Sequence, residues 1–362
     1  MIAIKAMPLT IMITGGSGFV GASLAIYLKR SMQSARVIAL DNLKRRGSEL
    51  NLVRLQQGGV EFLHADIRLI SDVDVVDSLD IIIDCAAEPS VLAGYNESPK
   101  YIVDTNLGGT INCLEIARQH GAQFIFVSTS RVYSTSCLQK ILLKESDTRF
   151  EIASNQLEAG VTGDGINENF SVVGARSMYG ASKFASEILV TEYADMYDMQ
   201  TVINRSGVIA GPWQMGKFDQ GIIGFWVAQH YFQGALGYLG FNGTGKQVRD
   251  ILHISDFCRL IELQIEHASR VRGQTFNVGG GLDNAVSLLE LTTLCQKATG
   301  KNISIDSIAA QRSGDVPIYV TDNRSVYEHL GWKPEIALEK IIADVVEWCD
   351  TNKEILQPVL GI

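Results

Sequence analysis

The chain has 362 residues, 20% charged and 46% hydrophobic, with 40 acidic side chains against 31 basic ones and a net charge of −9. That length buries a substantial core as one large or two modest domains, and the acidic balance leaves no global basic surface for nucleic acid. No apolar run is long enough to span a membrane, and the first residues lack a signal-peptide core and cleavage site, so a cytoplasmic protein is expected.

Leu9-Thr10-Ile11-Met12-Ile13-Thr14 reads as a strand that runs straight into Gly15-Gly16-Ser17-Gly18-Phe19-Val20-Gly21, with a helix over about 20–31. Glycines at i, i+3 and i+6 between a strand and a helix suit a dinucleotide phosphate. Gly15 allows the sharp turn, Gly18 lets the backbone approach the pyrophosphate, and Gly21 permits close helix–strand packing. Free N–H groups of the helix start, at Phe19 and Val20, then face the anion together with the helix dipole. Residues 36–41 read as the second strand. Asp41 at its end can accept both adenosine ribose hydroxyls and would repel a 2′-phosphate, which favours NAD; Asn42 follows it. Lys44, Arg45 and Arg46 in the next loop leave NADP open. After a strand over 60–64, Asp66 and Ile67 are placed to flank the adenine. A strand over 80–84 ends in Cys85-Ala86-Ala87-Glu88, with the small Ala86 and Ala87 where the cofactor backbone would pass.

A helix over about 101–120 and a strand over 123–127 come next. The strand leads into the hydroxyl-rich Ser128-Thr129-Ser130, and a helix over about 179–197 precedes a strand over 200–204. Short apolar strands between amphipathic helices mean a parallel sheet covered on both faces, a doubly wound α/β fold. After about residue 205 the pattern loosens, with many glycines and aromatics, as in a smaller lobe over the substrate. The chain is expected to pass back to the sheet near 248–254 and 274–279. The division is therefore 1–204 for the dinucleotide-binding half, re-entered near 248–280, and 205–362 for a mainly substrate-binding half. Cys85, Cys113, Cys137, Cys258, Cys295 and Cys349 lack CxxC pairing or metal-ligand spacing; they read as reduced thiols, with no metal site.

Tyr179-Gly180-Ala181-Ser182-Lys183 sets a tyrosine and a lysine one helical turn apart, on one face. A tyrosine has an ordinary pKa of about 10, so it must be shifted to act as a base at neutral pH. The Lys183 ammonium and the positive nicotinamide ring would stabilise its phenolate. A hydroxyl from the Ser128–Ser130 strand end would steady the substrate oxygen. Taken alone, such a pair is an ordinary helix-face tyrosine with a solvated lysine. Behind a dinucleotide cradle it becomes the base that would take a hydroxyl proton while hydride leaves the same carbon for the nicotinamide.

Over nearly its full length the chain resembles the extended short-chain dehydrogenases/reductases of the nucleotide-sugar epimerase/dehydratase type. That resemblance implies a Rossmann fold with a smaller C-terminal substrate-binding lobe. Asn106-Leu107-Gly108-Gly109-Thr110 is similar to the family's NxxGT helix start and places Asn106 at the cofactor. Ser128-Thr129-Ser130-Arg131-Val132-Tyr133 is similar to its S-[ST]-x-x-V-Y segment, which makes Thr129 the catalytic Ser/Thr beside Tyr179 and Lys183. Dehydratases of this family carry an Asp-Glu pair after that residue; Ser130 and Arg131 stand there instead, which disfavours dehydration.

Several later segments resemble the CDP-paratose (CDP-tyvelose) 2-epimerases: Phe218-Asp219-Gln220-Gly221, Gly245-Lys246-Gln247-Val248-Arg249-Asp250, the glycines at 279–281, the 41–47 loop and the insertion over 145–173. This resemblance implies a CDP-linked sugar substrate, as in lipopolysaccharide O-antigen sugar supply, and a homodimer or homotetramer. It also implies that Arg249 and Arg312 hold the diphosphate, as forked guanidiniums do, with Gln220, Gln247 and Glu88 near the nucleotide or sugar. Glu88 stands where relatives often have Gln, Ala210 where a tyrosine precedes Gly-Pro, and Ser134 where a glycine follows Val-Tyr. Which carbon meets Tyr179 is not set by the sequence. A UDP- or GDP-sugar 4-epimerase, a net NAD(P)-dependent sugar oxidoreductase and a non-catalytic NAD-sensing module are the alternatives.

Overall fold

Ile11, Met12 and Ile13 are fully buried, as a strand covered on both faces requires. A computed structural model of the chain describes residues 8–95, 97–217, 220–310 and 314–360. Apart from short two-stranded pairs, its strands are β1 (Thr10–Thr14), β2 (Arg36–Asp41), β3 (Glu61–His64), β4 (Ile81–Asp84), β5 (Gln123–Thr129), β6 (Thr201–Ser206), β7 (Val208–Ala210), β8 (Val248–His253), β9 (Gln274–Val278), β10 (Ala285–Ser287) and β11 (Ile318–Tyr319). Seven of them form one parallel sheet in the order β9-β6-β5-β4-β1-β2-β3. The order reverses between β1 and β4, and ligands bind outside the carboxyl ends of the strands at such a switch. The doubly wound parallel fold expected from the sequence is the one found.

Helices cover both faces. On one side α1 (Phe19–Ser31) packs its Leu24 and Leu28 with the apolar residues under β1, while α2 (Gly109–His120) and α3 (Met178–Tyr197) bury Leu114, Ala117 and Val190 on the other. Farther along, α4 (Ile222–Phe232), α5 (Ile254–Glu266) and α6 (Leu338–Thr351) follow. Phe257, Leu260 and Ile261 of α5 join the core of α1, whereas Trp226 of α4 and Trp348 of α6 build a separate core around Ile251 of β8.

Two expectations change. The segment 248–254 does not rejoin the main sheet: β8 pairs parallel with β7 and antiparallel with β10, in a second sheet of four strands completed by β11. An apolar run marks a strand without naming its partner, and β7, one residue beyond β6, offers the nearer edge. Only β9 returns to the main sheet, after α5 has crossed its face. The expected helix over 101–120 is also broken in register. Lys100–Val103 is α-helical, Asp104–Gly108 is a π turn, and α2 follows. Such a turn lets the chain bulge at one residue, commonly at a functional site. Here the buried Asn106 carbonyl accepts from Thr110 Oγ1 (2.8 Å) and Ser186 Oγ (2.9 Å).

Candidate active site

The carboxyl ends of β1, β2, β4, β5 and β6 open into a cavity of about 650 Å³. Gly15, Gly18, Phe19, Val20 and Gly21 form its floor. Gly15 has φ +60°, and a Cβ on it would stand 2.9 Å from the Ala86 backbone; one on Gly21 would stand 2.2 Å from the Gly15 carbonyl oxygen. The turn therefore needs both glycines. The first turn of α1 carries no acidic side chain, and Lys29 and Arg30 sit in its last, so the positive helix end is left for an anion.

Asp41 lines the cavity at the end of β2. Its carboxylate accepts from the Ser17 N–H (3.0 Å) and the Leu43 N–H (2.8 Å). Burial raises its pKa, with these backbone bonds opposing. Asn42 also lines the cavity, and its Nδ2 donates to Asp66 Oδ2 at 3.0 Å. Asp66 itself does not line it. Its carboxylate is held by Arg68 (2.6 and 2.9 Å), and that bond keeps its pKa far below the ordinary value. Ile67, Ala86, Ala87 and Glu88 line the opposite wall. Behind them Asn106, fully buried, accepts from the Glu88 N–H (2.7 Å) and donates to the Glu88 carbonyl (3.1 Å) and Ser182 Oγ (3.0 Å). Asn106 thus pins the wall to α3 from behind the cavity.

Thr129 and Tyr179 meet on the cavity lining, joined by a side-chain hydrogen bond. β5 delivers Thr129, and α3, capped by Ser177 Oγ accepting from the Gly180 N–H, delivers Tyr179 in its first turn. Burial pushes the Tyr179 pKa up, while the Thr129 hydroxyl and the charge of Arg131 pull it down. Lys183 lies one turn on, 1% exposed, with Nζ 3.8 Å from the centroid of the Phe126 ring and outside the cavity lining. Burial lowers its pKa, opposed by Asp84, Cys85 and Glu187. One more turn along α3, Glu187 accepts from Ser128 Oγ (2.5 Å) and pairs with Arg205 of β6 (2.7 Å). Arg205 Nη1 in turn donates to the Tyr133 hydroxyl (3.3 Å), and that hydroxyl donates to Asn277 (2.7 Å).

The substrate residues expected from the sequence are scattered. Gln220 lines the cavity, but its side-chain oxygen accepts from the Arg45 guanidinium. Gln247 and Arg249 lie on and beside β8, outside the cavity lining. Gln247 Nε2 donates to the Leu239 carbonyl (3.2 Å), and Arg249 donates to the Val248 (2.7 Å) and Val316 (2.8 Å) carbonyls. Arg312, with Phe218 and Asp219, falls outside the described residues. Sequence reasoning passed over Ser206, Thr105, Trp213, Gln214 and Met215, all on the cavity wall. Only Ser206 had a signal: β6 runs two residues beyond the apolar stretch, and its register sets Ser206 beside Thr129.

Comparison with known proteins gives the family of the chain. The family described as NAD dependent epimerase/dehydratase matches residues 11–279. The chain belongs to that family and is an enzyme of its NAD-dependent, nucleotide-sugar epimerase/dehydratase kind. It is 30% identical to CDP-paratose 2-epimerase of Salmonella typhi over 93% of this chain and 98% of that protein. With dTDP-glucose 4,6-dehydratase of Salmonella typhimurium it shares 27% over 95% and 93%. Among solved structures, UDP-glucuronic acid 4-epimerase of Bacillus cereus, in complex with UDP-glucuronic acid and NAD, superposes with a TM-score of 0.77 at 21% identity, covering 95% of this chain and 99% of that one. Its likeness is one of fold.

NAD is accordingly the cofactor, and the residues present fit it. The backbone at Gly15 and Gly21 leaves no space for side chains, the start of α1 is free of acids, and the Asp41 carboxylate on the cavity lining can accept ribose hydroxyls. Among the described residues, no hydrogen-bond partner meets Ser206 Oγ, Gln214 Oε1 or Thr105 Oγ1 on the cavity wall. Among those residues, too, no group of acidic, His and Cys side chains is arranged to hold a metal ion, and no helix is long and apolar enough to cross a membrane.

Proposed function

We propose that the protein is a nucleotide-sugar epimerase that oxidises one sugar carbon transiently and reduces it again on the opposite face, with a CDP-linked hexose epimerised at C2 as its substrate. One observation carries the reading. Thr129 and Tyr179 meet on the lining of the cavity that the glycine turn also lines, and the two positions after Thr129 are Ser130 and Arg131 rather than an acid pair. A hydroxyl and a phenol serve removal and return of a hydroxyl proton; water elimination needs a further acid and base. The 30% identity with CDP-paratose 2-epimerase over nearly both lengths supports the choice of nucleotide and carbon.

In this reading Tyr179 accepts the proton of the sugar hydroxyl, Thr129 holds that oxygen, and Lys183 with the cofactor favours the phenolate. NAD, when bound, accepts hydride from the sugar and gives it back. Asp41, Asn42 and the Gly15–Gly21 turn hold it, with Asp66 orienting Asn42. The first half of the chain, 1–204 with β9, serves the cofactor. The remainder serves the nucleotide sugar through Arg249 and Gln247, and Arg312 is carried as a further diphosphate ligand. The sugar must turn over between the two hydride transfers while its diphosphate stays anchored.

Proton NMR of the purified protein with CDP-, UDP-, GDP- and dTDP-hexoses, without added cofactor, tests this. Altered H1–H2 coupling with CDP-3,6-dideoxyhexoses alone is the expected result. Turnover of a UDP- or GDP-sugar with that coupling kept would move the chemistry to another carbon, and turnover that consumes stoichiometric NAD(P)(H) would make the enzyme a net oxidoreductase. Tyr179→Phe is expected to cost at least about 10²-fold in kcat while leaving bound NAD in place. A variant with full turnover would remove Tyr179 from the chemistry.

A further inference from the structure

After Thr129 the chain enters a short 3₁₀ turn, Ser130–Val132, in which the Arg131 N–H donates to Thr129 Oγ1 at 3.2 Å. The turn lies directly under the start of α3: a Cβ on Gly180 would stand 2.1 Å from the Arg131 carbonyl oxygen. Arg131 is therefore fixed by its backbone to the strand end that carries Thr129 and to the helix turn that carries Tyr179. Its side chain reaches toward the second half of the molecule, where Nη1 donates to the Gly314 carbonyl at 3.3 Å. Two residues farther on, the Val316 carbonyl accepts from Arg249 Nη2 at 2.8 Å. Carbonyls two residues apart lie within about 7 Å of each other, so both guanidiniums hang on one short segment.

Backbone position orders them. Arg131 leaves the turn that holds Thr129 and abuts the start of α3, whereas Arg249 stands on β8. The charge of Arg131 lowers the pKa of both Tyr179 and Arg249. Burial, helped by the charge of Arg131, pulls the Arg249 pKa down to about 10. A cation so placed is costly unless an anion meets it. Asp315 approaches Arg249 Nη2 only to 3.6 Å, longer than the roughly 2.7–2.9 Å of a charge-assisted hydrogen bond. A more closely fitting anion has something to gain here.

We propose that Arg131 is the sugar-side half of a diphosphate clamp, gripping the phosphate next to the sugar while Arg249 grips the phosphate next to the nucleoside. The proposal rests on the nucleotide-sugar reading above and adds a substrate-positioning residue to it. It gives the basic side chain after Thr129 and Ser130 a role of its own. A guanidinium beside the reacting end holds the diphosphate still while the sugar turns about it, without supplying a base for elimination.

Binding of CDP and CMP to the NAD-loaded protein separates the two arginines, because CMP carries only the nucleoside-side phosphate. Arg131→Gln is expected to weaken CDP about tenfold and to leave CMP within about twofold of the unaltered protein. Arg249→Gln should weaken both. Arg131→Lys, which keeps the charge and loses the fork, should recover part of the loss. Equal weakening of CDP and CMP by Arg131→Gln, or unchanged CDP binding, overturns the clamp. If only another nucleoside diphosphate among UDP, GDP and dTDP binds, it and its monophosphate take the place of CDP and CMP. If none of the four binds the unaltered protein, the nucleotide-sugar reading falls and the clamp falls with it. Melting temperature and NAD content report on the fold of each variant; should Arg131→Gln not fold, Arg131→Met, which also removes the charge, carries the same comparison.

Discussion

Tyr179 starts from an unfavourable position for a base, because burial raises its pKa, with the Thr129 hydroxyl and the Arg131 charge opposing. A phenol must be deprotonated before it can accept a proton, so kcat/KM rises with pH through this pKa. Removing an opposing neighbour moves that limb to higher pH. Thr129→Val is therefore expected to shift the acid limb upward and to lower kcat/KM by about 10²-fold, the loss typical of one missing transition-state donor; a pH–rate profile checks both. A limb left where it was would mean that Thr129 does not touch the phenol. The residues at this scale that could be read from the sequence are those whose chemistry dictates their type, Gly15 and Asp41 at strand ends and Gly21 and Tyr179 in the first turns of helices, with Thr129 singled out by resemblance. Thr105 and Gln214 escaped because one hydroxyl or amide has no period and no motif; only the fold brings these side chains to the wall.

At the scale of elements, α3 does more than present a tyrosine. Glu187, 3% exposed, sits two turns beyond Tyr179 and ties α3 to β5 through Ser128 and to β6 through Arg205, itself 9% exposed. Removing one partner of a buried ion pair typically costs about 3–5 kcal/mol, because the other charge is left behind. Glu187→Gln is expected to lose stability of that order in urea unfolding. A loss under about 1 kcal/mol would mean that water or a neighbour meets Arg205 instead. Strands and helices were legible here because buried parallel strands are continuous apolar runs and the helices between them are amphipathic. The sheet that β8 joins was not, since pairing is decided by which edge lies open when β7 has formed. The π turn at Asp104–Gly108 was equally hidden: Asn106 was read as a cofactor contact, whereas its amide spans the backbone of Glu88 and the hydroxyl of Ser182.

Across the whole molecule, the loop after β2 is the seam between the two halves. Arg45 donates to Gln220 and to the Met215 carbonyl (3.0 Å), Arg46 to the Pro358 carbonyl, and Lys44 Nζ lies 2.9 Å from the centroid of the Tyr101 ring. The three basic residues that left NADP open in the sequence thus all make contacts within the protein. Gln220, placed by resemblance near the nucleotide or sugar, braces the loop after β2. Arg45→Ala is expected to speed NAD release about tenfold, the scale of a lost hydrogen bond to a charged group, in a chase of bound NAD with excess free cofactor. Unchanged release would show the seam to be incidental to retention. The spacing along the chain adds a matter of timing. The contacts of Arg45 and Arg46 close over 175 and 312 residues, while the glycine turn, Asp41, Thr129 and Tyr179 all belong to the earlier half. The residues of the cradle therefore leave the ribosome before Gln220 and Pro358, the partners that close the seam beside them.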